Sequence, residues 1–224
     1  MFKIGLLTMA ALSAATAGLN AKVVFSDNFE AYQLGSSING QMGWAADGSY
    51  KIVKSGSGQA VFSGRKVAEA AISHGFAAQE GTFYIGVDVN YSKSASNFFW
   101  IAATDAAGDD HTVGAVFGVK QEQDLVTLRV RETGSSTKNS RTSAYTNPSR
   151  MVMEITALAG RYTCKVWFDP SSSSDKPLQT VSGQMSADLL DTFYARRASV
   201  SHSAMTMDNL IIATTFEEAA AQSQ

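Results

Sequence analysis

Gly81-Thr82-Phe83-Tyr84-Ile85-Gly86-Val87-Asp88-Val89-Asn90-Tyr91 carries the clearest hydrophobic alternation in the chain. Phe83, Ile85, Val87, Val89 and Tyr91 form one apolar row, and Tyr84, Asp88 and Asn90 fall in the other. A repeat of two is the period of an extended strand, whose side chains alternate between faces. The first row therefore predicts a core-facing side and the second an outward one. Working outward, the same alternation predicts strands over residues 97–103, 112–120, 125–132, 150–157 and 161–168. Turn-forming residues separate them at 105–110, 121–124 and 159–160. The polar segments 134–140 and 171–177 read as surface loops, and one helical turn is expected over 187–191. Many strands at close spacing, with hardly any helical pattern, predict an all-β, two-sheet antiparallel jelly-roll sandwich. No internal repeat or domain boundary is visible.

The beginning of the chain reads differently. Lys3 is followed by an uncharged apolar run from Ile4 to Ala17. That run is shorter than the roughly 20 residues of a membrane-crossing helix and ends in the small residues a signal peptidase accepts. Residues 1–21 are expected to be a signal peptide, 22–216 the sandwich and 217–224 a short frayed tail. The mature chain is expected to be secreted, periplasmic or at the cell surface, with no membrane span. Hydrophobic residues make up 45% of the chain and charged ones 17%, enough for a core, and the net charge of −2 gives no general attraction to nucleic acid. The single cysteine, Cys164, has no partner for an internal disulfide and sits in a strand pattern, as a buried, unreactive thiol would.

Three ordered segments carry a resemblance. Val24-Phe25-Ser26-Asp27-Asn28-Phe29-Glu30-Ala31-Tyr32, with Asn39-Gly40-Gln41-Met42-Gly43-Trp44 after it, resembles the opening of concanavalin A-like (laminin G-like) sandwich proteins exported by environmental bacteria. Lys165-Val166-Trp167-Phe168-Asp169-Pro170 resembles their late strand. Met207-Asp208-Asn209-Leu210-Ile211-Ile212-Ala213-Thr214-Thr215 resembles their closing strand. The resemblance implies two stacked antiparallel sheets and an association with polysaccharides or cell-surface glycans. It also implies a structural calcium ion, with Asp27, Asn28 and Glu30 matching the first contribution, Asp208 the second and the Gly64 carbonyl a further one. Calcium takes six to eight oxygen ligands, and these residue types suit it. The superfamily contains lectins, hydrolases, lyases, adhesins and structural modules, so the fold alone does not choose an activity.

Related glycanases carry Glu-x-Asp-x-x-Glu on one strand, because retention of configuration needs two carboxylates about 5–5.5 Å apart across the bond. The nearest match is Glu122-Gln123-Asp124, where the third carboxylate position is Thr127. His74 and His111 fall beside glycine-rich turns and His202 beside the closing strand, none next to a nucleophile motif. The outward rows could instead bring together Asp88, Asn90, Arg129, Arg131, Glu154, Lys165 and Trp167. Arginines bind carboxylates bidentately and an indole stacks on a sugar ring, so such a face could hold an acidic sugar. Trp44 and Trp100 read as packing residues. The function expected is a non-catalytic carbohydrate-binding or cell-surface module. A lyase or hydrolase with a diverged site, and a purely structural or adhesive protein, are the alternatives.

Overall fold

The structure is a computed structural model that describes residues 22–221 apart from 48, 64–69, 92–97, 106–110, 121–122, 133, 143–148, 187–188 and 199–204. The first strands are β1 (Val23–Asp27), β2 (Ala45–Ala46), β3 (Tyr50–Ser55), β4 (Gly58–Ser63) and β5 (Ala70–Gly75). The middle of the chain forms β6 (Thr82–Tyr91), β7 (Phe98–Thr104), β8 (Thr112–Lys120), β9 (Gln123–Glu132) and β10 (Ser135–Thr142). Next come β11 (Ser149–Leu158), β12 (Arg161–Phe168), β13 (Gln179–Gln184), β14 (Thr192–Ala198) and β15 (Met205–Ala213), and the helix α1 (Phe216–Ala220) follows.

Two antiparallel sheets result. The first runs β13-β12-β11-β6-β15-β4-β3, with β1 also on β15; the second runs β10-β9-β8-β7-β14-β5-β2. The quoted stretch, β6, sits between β11 and β15 and behaves as its period predicts. Phe83, Ile85, Val87 and Val89 are buried in the core, while Tyr84 and Asp88 point away from it, half-buried. Cross-strand pairing puts Met151, Met153 and Ile155 of β11 in the same inward row, opposite Val87, Ile85 and Phe83. The second sheet answers with Phe99, Ile101, Phe117, Leu128 and Phe193. Burying each such side chain stabilises the fold by roughly 1.5–3 kcal/mol. Cys164 lies in this core, fully buried, and burial pushes its thiol up to about 12.

The opening segment closes one end. Asp27 accepts from the Phe29 amide (2.8 Å), the Tyr32 hydroxyl (2.5 Å) and the Trp44 indole (2.8 Å). Trp44 is buried, as a packing residue should be. His74, expected in an exposed turn, instead lies in β5, stacked on Phe25 at 4.1 Å and bonded to the Met42 carbonyl at 3.0 Å.

Other expectations change. Residues 135–140, read as part of a loop, belong to the edge strand β10, which pairs with β9. An edge strand needs only one ladder and tolerates a polar sequence, so no apolar row marked it. In the expected helical turn, residues 187 and 188 lie outside the described residues and 189–191 have no regular structure. The helix lies instead where a frayed tail was expected. Thr215 caps it, accepting from the Glu218 amide, and Glu217 and Glu218 stand in its positive first turn. Phe216 and Ala219 are buried, docked on the outward face of the first sheet.

Candidate functional site

The seven residues expected on one face divide between two. Asp88, Asn90, Glu154, Lys165 and Trp167 share the outward face of the first sheet, whereas Arg129 and Arg131 lie on the outward face of the second. Each alternation was correct; β9 simply belongs to the other sheet.

On the first face α1 packs over the central strands β6, β11 and β15. Trp167 is buried, its ring edge-on to Phe216 at 5.2 Å, and its Nε1 donates to the Asp175 carbonyl at 2.7 Å. It is therefore a seat for the helix and not a sugar platform. Arg150, only 3% exposed, donates through Nη2 (2.6 Å) and Nε (3.2 Å) to the Ala219 carbonyl, and through Nη1 to the Asn209 carbonyl (2.6 Å) and Asp88 (3.2 Å). Burial lowers its pKa, and Asp88 and Asp208 work against that shift. Gly86 makes the docking possible, because a Cβ there would lie 1.8 Å from the Ala219 carbonyl oxygen. Lys165 pairs with Glu154 at 2.6 Å. Burial, helped by Glu154, pushes the nearby Tyr84 hydroxyl up to about 12. Asn90 is exposed.

The second face carries a small depression open to solvent. Its floor is Ala102, Gly114 and Val116, and Trp100, Arg129 and Arg131 rise around it. Trp100 is buried, as a packing residue is, but it belongs to this outward row and not to the core between the sheets. The guanidinium carbons of Arg129 and Arg131 lie 5.0 and 5.7 Å from the centre of its ring. Cation–π attraction at such distances holds the two planar groups over the indole. Gly114 is needed there because a Cβ would meet the Ile101 carbonyl oxygen at 2.3 Å. Half-burial and the like charge of Arg131 lower the Arg129 pKa. Arg129 Nε is buried without a hydrogen-bond partner among the described residues. Across β5, β7, β8, β9 and β14, the described outward side chains include no Asp or Glu. Thr127, at the third position of the glycanase pattern, faces the same way; Glu122 lies outside the described residues.

The described residues expected to hold calcium all have partners within the chain. Asp27 is committed to Phe29, Tyr32 and Trp44, and Asn28 accepts from the Glu30 amide. Gly64 lies outside the described residues. Glu30 bonds to the Gln59 amide at 2.6 Å and acts electrostatically on Asp208. Burial pushes the Asp208 carboxyl up to about 6, with Asp88 and Glu30 adding to the shift. Among the described residues no three His, Cys, Asp or Glu side chains converge on a metal position.

His111 was read as a loop residue and joins a polar cluster. Its Nδ1 faces Asp105 at 2.6 Å, and its Nε2 lies 3.2 Å from the Ser186 hydroxyl and 3.8 Å from Glu132. The Ser186 hydroxyl donates to Glu132, so its proton is not directed at the imidazole as an activated nucleophile requires. His202 lies outside the described residues.

No protein-family profile matches the chain, and no curated protein matches it. Solved structures do. The CBM2 module of the evolved Dit of Lactobacillus casei BL23 phage J-1 aligns over 87% of this chain and 96% of its own, at 12% identity and a TM-score of 0.56. A beta-1,3-glucanase from Mycobacterium marinum aligns over 85% and 98%, at 11% identity and a TM-score of 0.56. A family 16 glycoside hydrolase from Bacteroides ovatus, in complex with a G4G4G3G product, aligns over 85% and 100%, at 10% identity and a TM-score of 0.52. The fold is a concanavalin A-like jelly roll. At these identities the likeness speaks for the fold alone, and the jelly roll's two outward faces must be judged on their own chemistry.

Proposed function

We propose that this chain is an exported, non-catalytic carbohydrate-binding module that holds its glycan on the outward face of the second sheet. One observation carries the reading: on the first outward face α1 covers the central strands β6, β11 and β15, and the second keeps a small depression beside Trp100. The absence of acidic side chains from that face's described outward positions argues against a retaining glycanase, which needs two facing carboxylates. Carbohydrate-binding and glucan-cleaving proteins among the structural neighbours agree with a glycan as ligand.

A glycan array probed with the mature chain tests this, alongside Trp100→Ala. Retention of a polysaccharide by the wild type and its loss in the variant is the expected result. An empty array with cell-surface retention favours a structural or adhesive role. Release of reducing or unsaturated ends would overturn the non-catalytic reading and restore the lyase or hydrolase. Calcium is retained as a proposal on Glu30 and Asp208 alone, where it would tie the segment after β1 to the closing strand. A melting temperature that calcium raises and EDTA lowers would support it, and one indifferent to both removes it.

A further inference from the structure

The two outward faces offer a comparison of arginines in related settings. Arg150 is buried beneath α1, and its guanidinium donates to the Ala219 and Asn209 carbonyls and to Asp88. Every one of those acceptors comes from the chain itself. Arg129 is half-buried on the opposite face, and its Nε is buried with no acceptor among the described residues. Arg131, a second positive charge, acts on it electrostatically, and both lie against the same indole. A buried guanidinium donor left without an acceptor costs free energy, and a like-charge neighbour adds to that cost. A neutral acceptor could satisfy the donors that this guanidinium turns to solvent, but only an anion also offsets the two like charges, and one with planar or forked oxygens matches the guanidinium edge. Bulk attraction is not the cause, since the chain as a whole carries a net charge of −2.

We infer that the depression beside Trp100 selects acidic glycans, with Arg129 and Arg131 receiving a sugar carboxylate or sulfate and Trp100 holding the two guanidinium planes in place. This rests on the glycan-binding reading above and narrows it to a substrate class. Trp100 acts here as a support, because its ring is largely covered by the arginines and only 9% of the residue is exposed. Neutral polysaccharides offer hydroxyls, which accept from a guanidinium more weakly than an anionic oxygen does. Carboxylate and sulfate share the required chemistry, and the experiment separates them.

Titration calorimetry of the full mature chain at physiological salt would use four probes: polygalacturonate, the same polymer with its carboxyls reduced to alcohols, a sulfated galactan, and a neutral β-glucan. Binding of polygalacturonate or of the sulfated galactan is expected, with at least about tenfold weaker binding of the two neutral polymers. Which anionic probe binds names the acid. Arg129→Met should weaken anionic binding by about tenfold or more, and Arg129→Lys should restore only part of it, because a lysine lacks the planar fork. Arg131→Gln provides a second variant, and thermal melts confirm that each is folded. A wild type that binds the neutral polymers as tightly, with no change in Arg129→Met, overturns the acidic selectivity and leaves the glycan-binding reading standing. A wild type that binds none of the four overturns both.

Discussion

On the first sheet Gly86, Trp167 and Arg150 lie beneath the C-terminal helix; on the second, Gly114, Trp100 and Arg129 border an open depression. The same three residue types serve opposite ends. At Gly86 the missing side chain lets the Ala219 carbonyl approach the strand, and Arg150 then has a chain acceptor to bond. At Gly114 the space is limited by the backbone of β7, and no element of the described chain supplies Arg129 Nε with an acceptor. A polar residue can thus be placed on a sheet face for stability or for recognition. What distinguishes the two is whether its hydrogen bonds close within the molecule.

The contrast is strongest at Arg150. Arg150→Ala should cost about 3–5 kcal/mol in urea unfolding, because it leaves Asp88 and two carbonyls without their buried partner. A loss below about 1 kcal/mol would mean the first face is not held as described. The tryptophans come next. Trp167→Ala should cost about 3 kcal/mol and leave glycan binding intact, since Trp167 is buried between β12 and Phe216. Trp100→Ala should cost about 1–2 kcal/mol and abolish binding, as the support for two guanidinium groups is lost. Equal effects of the two substitutions on binding would erase the distinction between the faces.

Gly86→Ala sharpens the comparison further. Its Cβ would occupy the position of the Ala219 carbonyl, so α1 must lift, at about 2 kcal/mol. A red shift of Trp167 fluorescence should accompany it, and an unshifted spectrum would show that the helix stays seated.

The smallest effect concerns pH on the first face. The Asp208 carboxyl is pushed up to about 6, so the folded state binds its proton more tightly than the unfolded chain does. The unfolded state therefore holds fewer protons between about pH 4 and 6, and stability falls as pH rises through that window. At this half-buried site the change should be about 1 kcal/mol in calcium-free buffer, allowing for solvent screening. Asp208→Asn should flatten the slope; a slope that persists in this variant would place its origin elsewhere.

Much of the fold was legible because period two is a local property. Phe83, Ile85, Val87 and Val89 announce their face without reference to any other strand. The edge strand β10 was missed for the converse reason: paired on one side only, its polar residues need no apolar row. The helix had a readable signal in Thr215-Phe216-Glu217-Glu218, a Ser/Thr-x-x-Glu start before small residues, but its brevity and terminal position made it look like a tail. Of the candidate site, Arg129 and Arg131 were found and their true aromatic partner was not. Trp100 lies in the apolar run Phe98-Phe99-Trp100-Ile101, where no alternation marks an outward residue.

Local alternation was enough to place most strands, their inward rows, the buried Cys164 and the outward direction of Arg129, Arg131 and Trp167. Each of these depends on neighbours two residues away along one chain. Which outward rows share a face depends on how the strands pair in three dimensions. The tertiary structure also decided that Trp167 lies under a helix while Trp100 borders a depression. The physical reason is that alternation tells a side chain to leave the core but not which sheet its strand joins, and that second choice is made by pairing between residues far apart in the chain.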